Sequence, residues 1–288
     1  MLRRPFILLC AVGVCFPALM QSAPINIDSV DRDITAYAQV GYLATTNQTI
    51  ESSLAGDFNQ SFQREASSAG AYAKSVASQN STVVLTNTTL VVKGNGTTHV
   101  ESRAVNTRGL ASCDSQLNGG FTLTAPCAYS LSVNIQSDAP SDFFNETDAG
   151  LSGGTVDISF GGALLVDAGQ TSGILQPGSY NIGSTSLLTS QSDPPPLKPN
   201  PTPNRNAQWQ LEFVAAPLPN VSSAKLTSSR QQNSILVQWP LSAFLLQSAT
   251  NLSAPVTWRT LTNCAIVGQQ WTYTNQTDGK TRFFRLKK

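Results

Sequence analysis

Residues 81–92 read Ser-Thr-Val-Val-Leu-Thr-Asn-Thr-Thr-Leu-Val-Val. β-Branched residues dominate the stretch, and its apolar side chains recur with the two-residue period of a strand buried on one face, where a helix would show a period of 3.6. The same alternation returns at 121–125 (Phe-Thr-Leu-Thr-Ala), 129–135 (Tyr-Ser-Leu-Ser-Val-Asn-Ile), 155–160 (Thr-Val-Asp-Ile-Ser-Phe) and 209–214 (Trp-Gln-Leu-Glu-Phe-Val). Gly119-Gly120, Gly153-Gly154, Gly161-Gly162 and Pro177-Gly178 stand where turns are expected between such strands. Only Phe58 to Ala77 leaves helix in competition with strand or loop. The pattern predicts an all-β chain built on an antiparallel, jelly-roll-like β-sandwich.

Working outward, residues 1–23 have the plan of a secretory leader: Arg3 and Arg4, an apolar run from Phe6 to Met20, then the small pair Ser22-Ala23. The apolar run is shorter than a spanning helix needs, and no second one follows, so no membrane span is expected in the mature chain. Removing the leader leaves 16 basic residues against 17 acidic ones, and charged residues make up only 12% of the whole chain. Without a cluster of Lys and Arg there is no electrostatic footprint for nucleic acid. Abundant Ser, Thr, Asn and Gln suit an extracellular β protein whose solvent-facing strand surfaces are polar but uncharged.

Cys113, Cys127 and Cys264 remain after the leader, so at most one intrachain bridge forms. Asn118-Gly119 between the first two suits a tight hairpin turn, which predicts a Cys113–Cys127 disulfide; the alternative is two small buried thiols. The Pro-rich residues 191–206 are expected to be an extended loop before the last strand of a first domain. Ala215-Ala216-Pro217-Leu218-Pro219 then marks the boundary between a β-sandwich domain at 24–217 and a smaller domain at 218–288; if the Pro-rich stretch is instead the linker, the boundary moves to about residue 206 and the second domain gains a strand.

The smaller domain carries Ala224-Lys225-Leu226, Ile235 to Pro240, Phe244 to Leu252, Trp258 and Arg282-Phe283-Phe284-Arg285-Leu286. These segments resemble the short fibronectin type III-like module that ends many secreted proteins of environmental Gram-negative bacteria. Residues 27–214 are similar to the Ser- and Ala-rich β-sandwich exoproteins of such bacteria, through Leu175-Gln176-Pro177-Gly178-Ser179-Tyr180-Asn181-Ile182. The resemblance implies a secreted, extracellular or cell-surface location, with the periplasm as an alternative, and it implies no catalytic residues.

Motifs that carry chemistry are sparse. Gly150-Leu151-Ser152-Gly153-Gly154 matches G-x-S-x-G, and His99 precedes it with Asp138, Asp142 and Asp148 between. A nucleophile elbow needs a strand-to-helix turn and a downstream His, so a turn between strands is the expectation. A single histidine is too few for a His-based zinc site. Asp138, Asp142, Asn145, Glu146 and Asp148 offer oxygen ligands suited to calcium but lack EF-hand spacing, which favours a solvated loop and no cofactor. Trp209, Trp239, Trp258, Trp271, Tyr129 and Tyr180 would make a sugar-stacking platform if they faced outward, yet each stands at an alternating position that favours the core. The expectation is a secreted, non-catalytic binding or structural module whose partner is an extracellular polysaccharide or a surface protein. The alternatives are a dedicated carbohydrate-binding protein and a glycoside hydrolase with two facing carboxylates.

Overall fold

The computed structural model describes residues 23–42, 44–86, 88–138, 145–161, 166–194, 204–219, 223–268, 270–276 and 281–288. The leader residues 1–22, Asp142 and residues 195–203 of the Pro-rich stretch lie outside the described residues. Twelve strands build the first sandwich: β1 (Ile25–Val40), β2 (Ala44–Ser52), β3 (Gly56–Ser68), β4 (Ala71–Thr86), β5 (Thr89–Arg103), β6 (Gly109–Leu123), β7 (Cys127–Ser137), β8 (Glu146–Gly153), β9 (Val156–Gly161), β10 (Val166–Leu175), β11 (Gly178–Ser192) and β12 (Asn204–Pro217). Sheet A has the order β2-β1-β6-β11-β8-β9 and sheet B the order β10-β7-β12-β5-β4-β3, with antiparallel pairing throughout. Phe58 to Ala77, where helix competed, is the β3–β4 hairpin turning at Ala69-Gly70.

Two kinds of core fill the space between the sheets. Near the end where β12 leaves, large side chains meet: Trp209, Phe121, Phe213, Leu117, Leu131 and Ile135 form one apolar cluster. Toward the opposite end the cluster is Ala36, Ala38, Ala71, Ala73, Ala77, Ala111 and Ala207 with a few larger neighbours. Such small side chains let the sheets approach closely, and hydroxyls bond directly across the gap. Thr98 Oγ1 on β5 donates to Ser186 Oγ on β11 at 3.1 Å, and Ser102 Oγ lies 2.8 Å from Ser190 Oγ. The Ser and Ala richness of the chain therefore has a packing role as well as a surface one, because each buried hydroxyl in these pairs has a partner. Arg32, also buried, donates from Nη1 to Gly56 O at 2.9 Å and from Nη2 to Leu54 O, tying β1 to the crossing between β2 and β3.

One expectation is corrected here. Asn118-Gly119 is not a turn: it lies inside β6, which runs unbroken between β1 and β11. Gly120 serves close approach, since a Cβ there would lie 2.5 Å from Ser29 Oγ at the irregular step in β1. Cys113 therefore points into the core from sheet A, while Cys127 opens β7 in sheet B. Ten residues of β6 and the turn after it separate them, about 30 Å along the strand, whereas a disulfide needs Cα atoms within about 7 Å. Both are buried free thiols, as is Cys264.

The C-terminal part contributes β13 (Thr227–Gln231), β14 (Ser234–Pro240), β15 (Leu245–Ala249), β16 (Arg259–Thr260), β17 (Ala265–Val267), β18 (Gln270–Gln276) and β19 (Phe283–Lys287). They form a four-stranded sheet, β13-β14-β18-β17, and a three-stranded one, β16-β15-β19. The core between them contains Trp239, Trp271, Leu246, Val237, Cys264 and Tyr273, and it continues into Ala128 of β7 and Ala216 of β12. β12, which pairs with β5 and β7, is thus an inner strand of sheet B and also the floor on which the C-terminal part sits. No helix among the described residues is long and apolar enough to cross a membrane.

Candidate functional site

The outer face of sheet B is set by strand alternation: where Ala207, Trp209, Leu211 and Phe213 turn inward, Asn206, Gln208, Gln210 and Glu212 turn out. Register then aligns like side chains across strands. Asn59, Asn80, Asn95, Gln210 and Asn134 form one row over β3, β4, β5, β12 and β7; Ser61, Ser78, Thr97, Gln208 and Gln136 form the next. Cross-strand neighbours stand about 4.8 Å apart and successive rows about 7 Å apart. Ser78 Oγ lies 2.6 Å from Thr97 Oγ1, and Gln208 Nε2 donates to Gln136 Oε1 at 2.7 Å. The row below is closed by the Lys93–Glu212 ion pair at 2.6 Å. One row farther, Val214, Ser130 and Ser172 are covered by the C-terminal part, where the Ile266 N–H reaches Ser130 Oγ at 3.4 Å and the Cys264 N–H reaches Ser172 Oγ at 3.0 Å.

Two depressions follow β5 and β12 across this face. A cavity of about 220 Å³ lies over Asn80, Lys93, Asn95 and Gln210, and one of about 570 Å³ over Thr97, His99, Gln136, Asp138, Asn206 and Gln208. Together they cover β5 from Lys93 to His99, a length of about 20 Å.

At the far end stands the chain's one histidine. Asp138 clamps Asn206, accepting its backbone N–H at Oδ1 (2.6 Å) and its Nδ2–H at Oδ2 (2.8 Å) while donating its own N–H to Asn206 O (3.0 Å). With Nδ2 so occupied, Asn206 Oδ1 faces His99 Nδ1 at 2.8 Å and can only accept. Nδ1 therefore carries the proton, and in the neutral imidazole Nε2 is left as an acceptor. Sequence reasoning named Asp138 and His99 separately but missed Asn206, which it took as the tail of the Pro-rich loop; only the β5–β12–β7 register brings the three together.

Other sequence candidates disperse. Trp209, Trp239, Trp271, Tyr129 and Tyr180 are buried, and half-buried Trp258 is covered by the Arg285 guanidinium 4.2 Å from its ring centre, so these aromatics form no outward platform. Ser152 lies on β8 of sheet A, across the sandwich from His99 on sheet B, and Gly154-Thr155 makes the turn to β9, with φ of 131° at Gly153 and 56° at Gly154. A shared Ser–His site is thereby excluded. The calcium candidates also part: Asp138 joins sheet B, Asn145 Oδ1 accepts from the Thr189 N–H at 3.1 Å, and Glu146 and Asp148 stand on β8 of sheet A. No three His, Cys, Asp or Glu side chains among the described residues converge on a metal position.

Sheet A presents its own carboxyls outward. Burial, with Asp33 nearby, raises Asp114 to about 6 despite a hydrogen bond from Thr185; burial and Glu146 raise Asp148 to about 6. A depression of about 380 Å³ holds Asp148 and Asp157. They stand on neighbouring strands four residues out of step, so their backbones are about 14 Å apart. Burial also raises the thiols, Cys127 to about 12 and Cys264 to about 11, which makes them poor nucleophiles at neutral pH. No family model matches this chain, and neither does any curated protein.

Proposed function

We propose that this chain is a secreted, non-catalytic binding module that holds an extended, uncharged polysaccharide along β5 and β12 of sheet B. The observation that carries this reading is the pair of depressions lined by amides and hydroxyls that follow β5 and β12 from the Lys93–Glu212 pair to His99, with the C-terminal part packed on Val214 beyond that ion pair. Its groups donate and accept in both directions, as a polyhydroxylated chain requires. The central rows carry no charge that would demand an ionic ligand. The fixed Nδ1–H of His99 leaves Nε2 to receive a ligand hydroxyl. Export is supported by the leader plan of residues 1–23, and the fibronectin-like reading of the C-terminal part by a four-stranded sheet packed against a three-stranded one.

Affinity electrophoresis of the chain from Pro24 against neutral and acidic polysaccharides, with reducing-sugar release assayed in parallel, tests the proposal. Neutral polymers are expected to retard the protein without sugar release, and Gln210→Glu and His99→Ala to weaken retardation at least several-fold while leaving Tm within a few degrees. Retardation that ignores both substitutions, or none with any polymer, refutes the site; a surface protein is then the partner class to examine.

A further inference from the structure

A further cavity, of about 260 Å³, lies where the C-terminal part meets β10. Trp239, Trp271, Leu246 and Cys264 form its buried wall, and Ile174, Leu245 and Leu261 stand toward its mouth. Its polar groups are already committed. Trp239 Nε1 donates to Phe244 O at 3.1 Å and Trp271 Nε1 to Ser242 O at 3.2 Å. Ser172 Oγ donates to Thr262 O at 2.6 Å and accepts the Cys264 N–H at 3.0 Å, while Cys264 Sγ donates to Leu261 O at 3.7 Å. None of these inner donors is open to a guest.

We propose that this junction cavity is a binding site for one small hydrocarbon group, a single aromatic ring or a short alkyl chain, distinct from the polar depressions of sheet B. An apolar cavity of about 150 Å³ is already enough to admit benzene, so the space suffices for one ring with substituents. A guest gains by removing its own surface and that of the two tryptophans, leucines and isoleucine from water. A polar substituent carried inward finds no free partner and loses affinity by about tenfold or more.

The matched probes toluene and phenol, similar in shape, test this on the chain from Pro24 by ligand-observed NMR and thermal shift. Toluene is expected to bind saturably and raise Tm, with phenol weaker by about tenfold or more. Leu261→Trp and the milder Leu261→Phe narrow the mouth; either should abolish toluene binding in a variant that keeps its Tm without ligand. Polysaccharide retardation should persist in both, which separates this site from the sheet B depressions. Non-saturable toluene binding, equal affinity for phenol, or full binding in a folded Leu261 variant overturns the proposal.

Discussion

At the scale of single residues, the space around Trp209 explains Gly96. Trp209 is buried at the junction of the two core types and donates Nε1–H to Ser115 O at 3.1 Å. A Cβ on Gly96 would lie 2.3 Å from both Trp209 Nε1 and Ser115 Oγ, so no shift of one atom relieves it. Gly96→Ala is expected to cost about 1–3 kcal/mol by overpacking, read as a lower urea midpoint at unchanged slope, while exposed Asn95→Ala stays within about 0.5 kcal/mol. Asp114 gives a pH prediction. Its folded pKa, pushed to about 6 mainly by burial, lies above the ordinary carboxyl value, so the folded chain binds the proton more tightly than the unfolded one. The stability from that proton is fully present below about pH 4 and is lost as pH rises through about 6. Asp114→Asn is therefore expected to raise stability at pH 7 by about 2 kcal/mol, after allowance for partial exposure, and to have little effect at pH 4. Thermal melts of both proteins across this range check it, and an equal effect at both pH values would refute the assignment.

At the scale of elements, alternation located strands well because one face of nearly every long strand is buried, and the period of two is then written in side-chain polarity. Pairing was not written there. Asn118-Gly119 has the composition of a hairpin turn, yet the next residue, Gly120, gives space beside the step in β1, and the hydrogen bonds on both edges of β6 hold it straight. The same limit hid Asn206: nothing in the order of residues 99, 138 and 206 says that β5, β12 and β7 are neighbours. Hydroxyls also concealed part of the core, since Ser186 and Ser190 alternate like surface residues although they face inward. The position of β6 has a chemical consequence. With Cys113 and Cys127 rooted in different sheets, thiol titration of the oxidatively refolded chain from Pro24, unfolded without reductant, is expected to find three free thiols. One thiol would mean that a bridge forms and that the β6 path differs.

At the scale of the whole molecule, the two parts are joined by more than a linker. Ala128 and Ala216 belong to the same apolar cluster as Trp239 and Trp271, and Ser172 is bonded to both Thr262 and Cys264. A unit of about 70 residues has a marginal core by itself, so its stability draws on the sheet B surface beneath it. That coupling predicts one cooperative unfolding transition for the chain from Pro24, with tryptophan fluorescence, which includes Trp239 and Trp271, changing together with the far-ultraviolet signal of the larger sandwich. Ser172→Ala, which leaves the Cys264 N–H and the Thr262 carbonyl without their partner, should destabilise by about 1–3 kcal/mol and shift both signals equally. If the fluorescence midpoint moves alone, or two transitions already separate in the parent chain, the parts fold independently; the C-terminal part is then a docked neighbour, and no longer part of one folding unit.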